Sequence, residues 1–514
     1  MTIFLLSLNK YFLPDVHAEL ALEETREDHM TAAYCWPQSA LPGEIITVFC
    51  HTKTASFRAE VVRSGTVEKK VLDQPTLPGI RQSMPLNLAT NGCAWQPSFE
   101  VKVQRQWPSG FYLVRVTDSD GFQAEAFFVV RSVEPQDAML VLATSTWSAY
   151  NDWGGPSFYT GGNTVSMMKP LPKGMLYQAE PGRHRISKFM ERTEADIKDV
   201  AINRYENWFL NAGWANWECL FARWAEAEGI KLGYATSQDL DRDPDLLTGY
   251  PAYISVGHDE YWSAGMRDTV EDYVDAGGNA AFFSGNTAFW QIRFERDNSR
   301  VVSYKFKPRD DPEFNPEYAP NLSTMWSDPL IRRPENLMTG VSFTRGGYSR
   351  VPNSPRGTGG YTICRPDHWA FESLSLDLGD VLGAAGIVVG YECDGCEIEQ
   401  IDGLPTPTGR DGSPVTMEIL GTAPAHLWET SEIPVGVLDA DYVGELNWMA
   451  ERFEGADTEE NRQKYSEGHA VLGTFRRGKG EVFTTGCTDW AYGLKQKDVS
   501  TVTRNVMQRF LRRK

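Results

Sequence analysis

The sequence predicts an α/β protein in which an antiparallel β-sandwich precedes a doubly wound sheet. Two observations predict it. Short segments of alternating apolar and polar residues fill positions 31–133, and from position 134 continuous apolar runs alternate with helical patterns. Alternation is typical of half-buried antiparallel strands, and continuous runs are typical of parallel strands covered on both faces. We therefore divide the chain into an N-terminal arm (1–30), a sandwich (31–133) and an α/β domain (134–514).

The sandwich is predicted from short strands separated by Gly, Pro and Asn turns, which is typical of immunoglobulin-like domains. Trp107-Pro-Ser-Gly-Phe-Tyr-Leu113 is typical of the penultimate strand of such a module. No spacing in this region suggests catalysis, so a packing or binding role is favoured. The predicted strands are Ile45–Cys50, Ser56–Arg63, Ser98–Val103, Gly110–Val116 and Ala124–Val130.

The α/β domain is predicted from strands and helices that alternate along the chain. Residues 296–382 break the pattern with Pro, Asp, Asn, Gly and Arg, and we interpret them as a long insertion over the site. Strands are predicted at Ala138–Thr144, Ile230–Thr236, Leu246–Val256, Asn279–Ser284 and Gly386–Glu392, with a hairpin of His469–Phe475 and Glu481–Thr485. Helices are predicted at Trp217–Glu228, Met266–Ala276 and Val499–Arg513.

Composition limits the classes of function. With 50 basic and 69 acidic residues, the net charge is −19, which disfavours nucleic acid and anionic membranes as partners. No apolar run reaches the roughly 18 residues of a membrane span, and the N-terminus lacks the basic start of a signal peptide, so we expect a cytoplasmic protein.

Eight cysteines are too few for a disulfide framework. Cys393 and Cys396 have the spacing of a redox pair or half a zinc site, but a structural role is favoured.

The segment Gly257-His-Asp-Glu-Tyr-Trp262 follows a predicted strand and is the strongest candidate for a site. His258 and Glu260 are two residues apart, so they share one face if the strand continues. They could form half a metal site or an acid/base pair. The alternative is that Asp259 or Ser263 simply caps the following helix. The strand ends at Thr144–Gly155 and Ser284–Asn286 should lie nearby.

Covalent acyl transfer is poorly supported. The chain has no Gly-x-Ser-x-Gly elbow, Cys219 falls within a predicted helix, and Cys487 follows a hairpin strand without an obvious base. A metal-activated water surrounded by carboxylate, phenol and imidazole groups remains.

The sequence resembles the large, catalytic subunit of N,N-dimethylformamidase over residues 138–514. The motifs that carry the resemblance are Tyr150-Asn-Asp-Trp-Gly-Gly155, Gly257-His-Asp-Glu-Tyr-Trp262, Phe282-Phe-Ser-Gly-Asn286 with Trp290 and Arg293, Gly390-Tyr-Glu392 and Thr485-Thr-Gly-Cys-Thr-Asp-Trp490. The resemblance implies a glutamine-amidotransferase-like (flavodoxin-like) α/β domain. It also implies a mononuclear non-haem iron, Fe(III), held by two tyrosinates and a glutamate, and hydrolysis of a small amide.

The resemblance assigns roles to individual residues. Glu260 matches the iron-binding glutamate, Tyr150 the first tyrosine ligand, His258 the histidine beside the metal, and Asn286 a pocket asparagine. For the second tyrosine we favour Tyr177, with Tyr159 and Tyr205 as alternatives. In this interpretation His258 carries a proton, Tyr261 and Trp262 only pack, and Asn286 hydrogen-bonds the amide carbonyl or the oxyanion.

Partners and alternative functions stay open at this point. The resemblance implies a small partner subunit, and a homo-oligomer is the alternative. Hydrolysis of a different C–N bond is one rival function. A non-catalytic protein that binds a glycan or another protein, using the sandwich and the 16 tryptophans of the chain, is the second.

Overall fold

The computed structural model describes residues 31–179, 211–351, 354–355, 357–432 and 444–512. The predicted arm at 1–30 and Tyr205 lie outside these residues. Within them, no helix is long and apolar enough to cross a bilayer.

The N-terminal region forms two sheets that pack face to face. Their shared core contains Val48 of one sheet with Val61, Val114 and Phe128 of the other. The sheet orders are β1-β3-β6 and β2-β8-β7-β4-β5. Helix α1 (Leu88–Asn91) lies between β5 and β6. The strands are β1 Ala32–Trp36, β2 Ser39–Ala40, β3 Ile45–His51, β4 Ser56–Ser64, β5 Lys69–Pro78, β6 Phe99–Lys102, β7 Gly110–Asp118 and β8 Gln123–Val130.

The remaining strands follow from position 138 onward. They are β9 Ala138–Leu142, β10 Thr164–Ser166, β11 Leu232–Thr236, β12 Ala252–His258, β13 Tyr261–Ser263, β14 Asn279–Gly285, β15 Trp290–Glu295, β16 Arg300–Val302, β17 Ser342–Tyr348, β18 Arg350–Val351, β19 Ser354–Pro355, β20 Tyr361–Ile363, β21 Val381–Leu382, β22 Glu392–Gly395, β23 Ile398–Ile401, β24 Leu404–Pro407, β25 Glu418–Ala425, β26 Gly468–Arg477 and β27 Gly480–Thr484. The helices are α2 Thr144–Ala149, α3 Glu218–Ala227, α4 Ser237–Arg242, α5 Ala264–Ala276, α6 Asn336–Thr339, α7 Glu445–Glu454, α8 Glu459–Gln463 and α9 Lys497–Phe510.

A nine-stranded sheet forms the centre of the molecule, in the order β11-β9-β12-β14-β27-β26-β25-β20-β21. The first five strands are parallel. The last four continue the sheet antiparallel. The predicted hairpin is confirmed as the β26–β27 pair.

Both faces of the parallel part are covered, which explains the continuous apolar run of β9. Leu140 and Leu142 pack in one core with Phe221 of α3 and Val502 of α9. Met139 and Val141 pack in the other with Val270 of α5. Because alternate residues of β9 are buried on opposite faces of the sheet, no position of this strand faces solvent and would suit a polar residue.

Two of the predicted strands differ from those in the structure. The strand predicted at Gly386–Glu392 was wrong, because Ile387 has a left-handed backbone (φ 49°) and follows a 3-10 turn at Ala384–Gly386. Strand character starts only at Glu392 and pairs with β17. The strand predicted at Leu246–Val256 begins later, at Ala252.

Candidate active site

The site lies at the carboxyl ends of β12 and β14, where parallel α/β sheets place their ligands. Strand β12 ends at His258, and Glu260 follows two residues later. Gly257 makes the turn possible, because its φ of 78° suits glycine and a Cβ there would lie 2.3 Å from Trp217 Cβ. The predicted helix cap is confirmed for Ser263, whose Oγ accepts a hydrogen bond from the N–H of Met266 at the start of α5.

Three oxygen-bearing side chains converge beside this strand end. Tyr150 Oη donates to Glu260 Oε2 at 2.9 Å, and Tyr159 Oη donates to the same oxygen at 2.9 Å. The two phenol oxygens lie 2.5 Å apart. Tyr150 and Glu260 are buried, with 2% and 3% exposure. We call these three residues the oxygen triad.

The two described candidates for the second tyrosine, Tyr159 and Tyr177, lie in different places. Tyr177 stacks beneath the guanidinium of Arg115, whose Cζ lies 4.4 Å from the ring centroid, and it lines a different, smaller cavity. Tyr159 is the tyrosine that joins Tyr150 and Glu260, although the sequence analysis treated it only as an alternative. A loop of nine residues from the end of α2 brings it back over Tyr150, and the two rings stack with centroids 4.2 Å apart.

A second group, of His258, Glu392 and Asn286, lies beside the triad. His258 Nε2 lies 2.8 Å from Glu392 Oε2 and 3.3 Å from Glu260 Oε2. His258 Nδ1 lies 2.7 Å from the carbonyl of Asn211, which can only accept, so Nδ1 carries a proton and Nε2 is the nitrogen that can exchange one. Asn286 Nδ2 donates to Glu392 Oε2 at 3.1 Å.

Other side chains lie around the triad, and no role in binding or catalysis was assigned to them from the sequence. Trp290 Nε1 donates to Glu260 Oε1 at 2.7 Å, and Tyr261 Oη donates to Tyr159 Oη at 2.9 Å. Tyr261 therefore touches the site, whereas the sequence analysis expected it only to pack. Lys305 Nζ lies 3.5 Å from the centroid of the Tyr159 ring. From sequence, Glu392 was named only as part of the motif Gly390-Tyr-Glu392. Its position beside His258 is seen only in the structure.

The electrostatics of the protein groups alone favour neutral phenols. Burial, followed by the charge of Glu260, raises the pKa of both Tyr150 and Tyr159 well above its ordinary value. Burial would lower the pKa of His258, but the carboxylates of Glu392 and Glu260 outweigh it and raise that pKa well above its ordinary value. With only protein groups present, the protonated form of His258 is therefore favoured.

The donor set fits a hard, highly charged metal ion. Oxygen ligands at about 2.0–2.1 Å on adjacent octahedral positions lie about 2.9 Å apart. The separations within the triad are 2.9, 2.9 and 2.5 Å. Two phenolates and a carboxylate carry three negative charges, which suit Fe(III) better than a divalent ion. Among the described residues, no group of three or more His, Cys, Asp or Glu could hold a metal.

A cavity of about 40 Å³ lies against these side chains. This volume holds a few water molecules, which favours a small ligand. Asn286 Oδ1 is buried without a hydrogen-bond partner among the described residues. The lining residues are Tyr150, Tyr159, Glu260, Asn286, Phe289, Trp290, Lys305, Phe306, Phe343, Tyr348, Tyr391, Glu392, Trp428 and Glu445.

The cysteine pair of the sequence analysis is not brought together as a chelating or redox unit. Cys393 Sγ instead lies 3.7 Å from Cys487 Sγ, and Cys396 packs in the other core. All three are buried free thiols. These contacts agree with the structural role that the sequence favoured.

Comparison with known proteins shows the family to which this chain belongs. The family model described as "N,N-dimethylformamidase beta subunit-like, C-terminal" matches residues 58–503. The chain therefore belongs to the N,N-dimethylformamidase beta subunit-like family. The match includes most of the sandwich, whereas the sequence analysis placed the resemblance only from residue 138.

Two curated relatives carry the same name. The N,N-dimethylformamidase beta subunit of Paracoccus aminophilus is 22% identical over 467 residues, which cover 82% of this chain and 55% of the relative. That of Alcaligenes sp is 23% identical over 231 residues, covering 41% of this chain and 30% of the relative. The chain thus spans about half, or less, of the length of these relatives. Among solved structures, murine CEACAM1b is 13% identical and covers 22% of this chain and 63% of its own, with a TM-score of 0.11.

Proposed function

We propose that this protein hydrolyses the C–N bond of a small amide, such as N,N-dimethylformamide, to an amine and a carboxylic acid. The observation that carries the proposal is the convergence of Tyr150, Tyr159 and Glu260 on one point, with His258 beside it. Membership of the N,N-dimethylformamidase beta subunit-like family supports the same chemistry.

We propose that Tyr150, Tyr159 and Glu260 hold Fe(III), with Tyr159 in the place that the sequence gave to Tyr177. When bound, the ion would supply a Lewis acid that polarises the amide carbonyl and acidifies a water molecule. With both phenols deprotonated, the three negative charges of the triad would balance the 3+ charge of Fe(III). Trp290 Nε1 and Tyr261 Oη hydrogen-bond triad oxygens, so they fix the directions of the ligand lone pairs.

His258, Glu392 and Asn286, which lie beside the triad, move the proton and bind the amide oxygen. His258 Nε2 accepts the proton lost by the attacking water and later delivers it to the leaving nitrogen, while Nδ1–H stays bound to the Asn211 carbonyl. Glu392 stabilises the imidazolium formed in between. Asn286 Nδ2 uses one N–H on Glu392, and its second N–H can donate to the amide oxygen.

The names of the relatives also bear on assembly. Both are called a beta subunit, and we propose that this chain likewise assembles with a second type of subunit. Native mass spectrometry of the protein isolated from its own cells would show a second polypeptide in the complex. A complex of this chain alone would favour the homo-oligomer instead.

The activity is tested with N,N-dimethylformamide and iron-loaded protein. Proton NMR should show dimethylamine and formate appearing in equal amounts, and Glu260→Ala should lose both iron and turnover. The exposed Glu451→Ala serves as the matched control and should retain both. If iron-loaded wild-type protein hydrolyses neither this amide nor the formamides and acetamides of other small amines, the proposed function is wrong, and a non-catalytic binding role becomes the better account.

A further inference from the structure

The two tyrosines of the triad lie at the two ends of one short loop, residues 150–159, which we call the ligand loop. The N–H of Phe158 donates to the carbonyl of Ala149 at 3.1 Å, so the loop closes on itself and its ends meet. The loop contains turns but no helix or strand. Because no regular ladder of hydrogen bonds fixes its path, contacts with the rest of the chain must do so.

The β-sandwich supplies the pocket in which the middle of the ligand loop is buried. Trp153 of the loop is buried, and its ring meets that of Trp95 edge to face, with centroids 5.8 Å apart. Every other buried residue of this small core comes from the sandwich, namely Ala32, Tyr34, Leu88, Cys93 and Trp95. The burial of Trp153 therefore fixes the loop to the sandwich rather than to the α/β domain that carries it.

Helix α1 packs directly on the backbone of the next two loop residues. A Cβ added at Gly154, where φ is 74°, would lie 2.2 Å from Leu88 Cδ1. A Cβ at Gly155 would lie 2.8 Å from Ala89 Cβ. Glycine at these positions allows a close approach that any larger residue would prevent. The sandwich thus contacts the loop through its main chain as well as through Trp153.

A buried lysine holds the first half of the loop from its other side. Lys169 is 2% exposed, and its Nζ donates to the carbonyls of Asn151 at 2.8 Å and Trp153 at 3.2 Å. The sandwich also reaches the segment that carries this lysine, because the N–H of Cys93 donates to the carbonyl of Met168 at 3.0 Å. Trp153 is therefore held between the sandwich and a segment that the sandwich itself contacts.

The helix before the ligand loop packs on the sandwich as well. The ring of Trp147 in α2 lies 5.2 Å from that of Phe127 in β8 and 6.4 Å from that of Phe111 in β7, between centroids. Tyr150 comes directly after this helix. The sandwich therefore contacts the chain both before and after this tyrosine.

We propose that the sandwich is a positioning part of the active site, in which α1 and Trp95 hold the ligand loop so that Tyr150 and Tyr159 converge on Glu260. Leu88 and Trp95 do not line the cavity, so they are positioning residues that act through the loop. Metal ligands bind tightly when surrounding groups hold them in the required geometry. This inference rests on the proposed role of the triad, and it gives the sandwich a function in the site beyond packing or partner binding.

Leu88→Ala tests it by removing the side chain that packs on Gly154. In iron-free protein, amide hydrogen exchange of the ligand loop should become at least about tenfold faster, because the loop opens more often. In iron-loaded protein, iron affinity measured against a chelator should fall about tenfold or more, and the visible phenolate-to-iron band should change. Leu88→Met, which keeps the volume of the side chain, should restore all three properties.

Val61→Ala is the matched control, since it also makes a cavity in the sandwich. Val61 is buried in the main core of the sandwich, which contains no residue of the ligand loop. This variant should lose stability, yet its loop exchange, iron affinity and visible band should equal those of the wild type. A purely structural effect of damaging the sandwich would instead appear equally in Val61→Ala and Leu88→Ala.

The measurement on iron-free protein separates this inference from the proposed function. Faster loop exchange in Leu88→Ala but not in Val61→Ala supports the inference even if the wild type binds no iron, and in that case only the proposed metal site fails. Loop exchange at the wild-type rate in Leu88→Ala, a wild-type iron affinity where iron is bound, or equal changes in Val61→Ala overturns the inference and leaves amide hydrolysis standing. A circular dichroism spectrum equal to that of the wild type shows that each variant is folded.

Discussion

The phenol oxygens of Tyr150 and Tyr159 lie 2.5 Å apart, and both donate to the same oxygen of Glu260. Burial, which raises the pKa of both phenols, keeps them neutral when only protein groups are present. Two phenols facing one carboxylate in this way form a set of oxygens that a trivalent cation can convert to three anionic ligands.

The first prediction separates the two candidate tyrosines. Tyr159→Phe removes one of the three proposed ligands, so the protein should lose most of its iron and its visible phenolate-to-iron absorption, and turnover should fall at least about 100-fold. Tyr177→Phe is the matched control and should keep iron and colour, because Tyr177 packs against Arg115 away from the triad. Iron analysis and an absorption spectrum decide between them. The reverse result would restore the choice made from sequence.

The second prediction separates metal binding from proton transfer. His258→Ala should keep its iron, because Nε2 lies beside the Glu260 carboxylate and is not one of the three triad oxygens. Turnover should fall about 10²–10⁴-fold, the usual contribution of a general acid/base. His426→Ala, at a partly exposed histidine paired with Glu432, is the control and should not affect either quantity. Loss of iron from His258→Ala would instead make the histidine a ligand.

The third prediction concerns support of the carboxylate ligand. Trp290→Phe keeps the aromatic wall but removes the 2.7 Å hydrogen bond to Glu260 Oε1. Loss of such a supporting partner typically weakens metal binding about 10–100-fold. Competition with an iron chelator would measure this, with Trp369→Phe as a tryptophan control outside the cavity. Unchanged iron affinity would show that Glu260 is positioned without the indole.

The fourth prediction is a pH dependence of stability that is independent of the site. Burial raises the pKa of Glu218 to about 8, although the hydrogen bond from Trp147 Nε1 acts in the opposite direction. The unfolded carboxyl titrates near pH ~4.3, so between these values the folded state binds the extra proton. The free energy of unfolding should therefore fall as pH rises, by about 1.4 kcal/mol per pH unit from this group.

Glu218→Gln should remove that slope, since an amide stays neutral at every pH. Denaturant unfolding at pH 6, 7 and 8 measures the slope for the wild type and the variant. The exposed Glu460→Gln should leave the wild-type slope intact. A Glu218→Gln slope equal to that of the wild type would mean that Glu218 is ionised in the folded protein.

The elements of the sheet were predictable because their burial patterns are local. The apolar run of β9 is covered on both faces, and Gly277 follows α5, as the sequence indicated. The positions of His258 and Glu260 followed from the end of β12. The strand predicted up to Glu392 failed because its apolar residues enter an irregular turn at Ile387 rather than the sheet.

The proximity of Tyr159 to Tyr150 and Glu260 was not predictable, since it depends on the path of a loop. Tyr159 follows Gly154-Gly155-Pro156, which has no helical or strand pattern, and nothing local shows that the chain returns to Tyr150. Glu392 was similarly hidden, because its partner His258 is 134 residues away in the sequence and on another strand. Both contacts are long-range, and periodicity carries no information about them.

Anomalous diffraction at the iron absorption edge, from crystals of protein grown in iron-replete cells, tests the central claim most directly. The account predicts a single strong peak within bonding distance of Tyr150 Oη, Tyr159 Oη and a Glu260 carboxylate oxygen. A peak elsewhere, such as beside Tyr177 or among the buried cysteines, or no peak in protein that hydrolyses the amide, would contradict it.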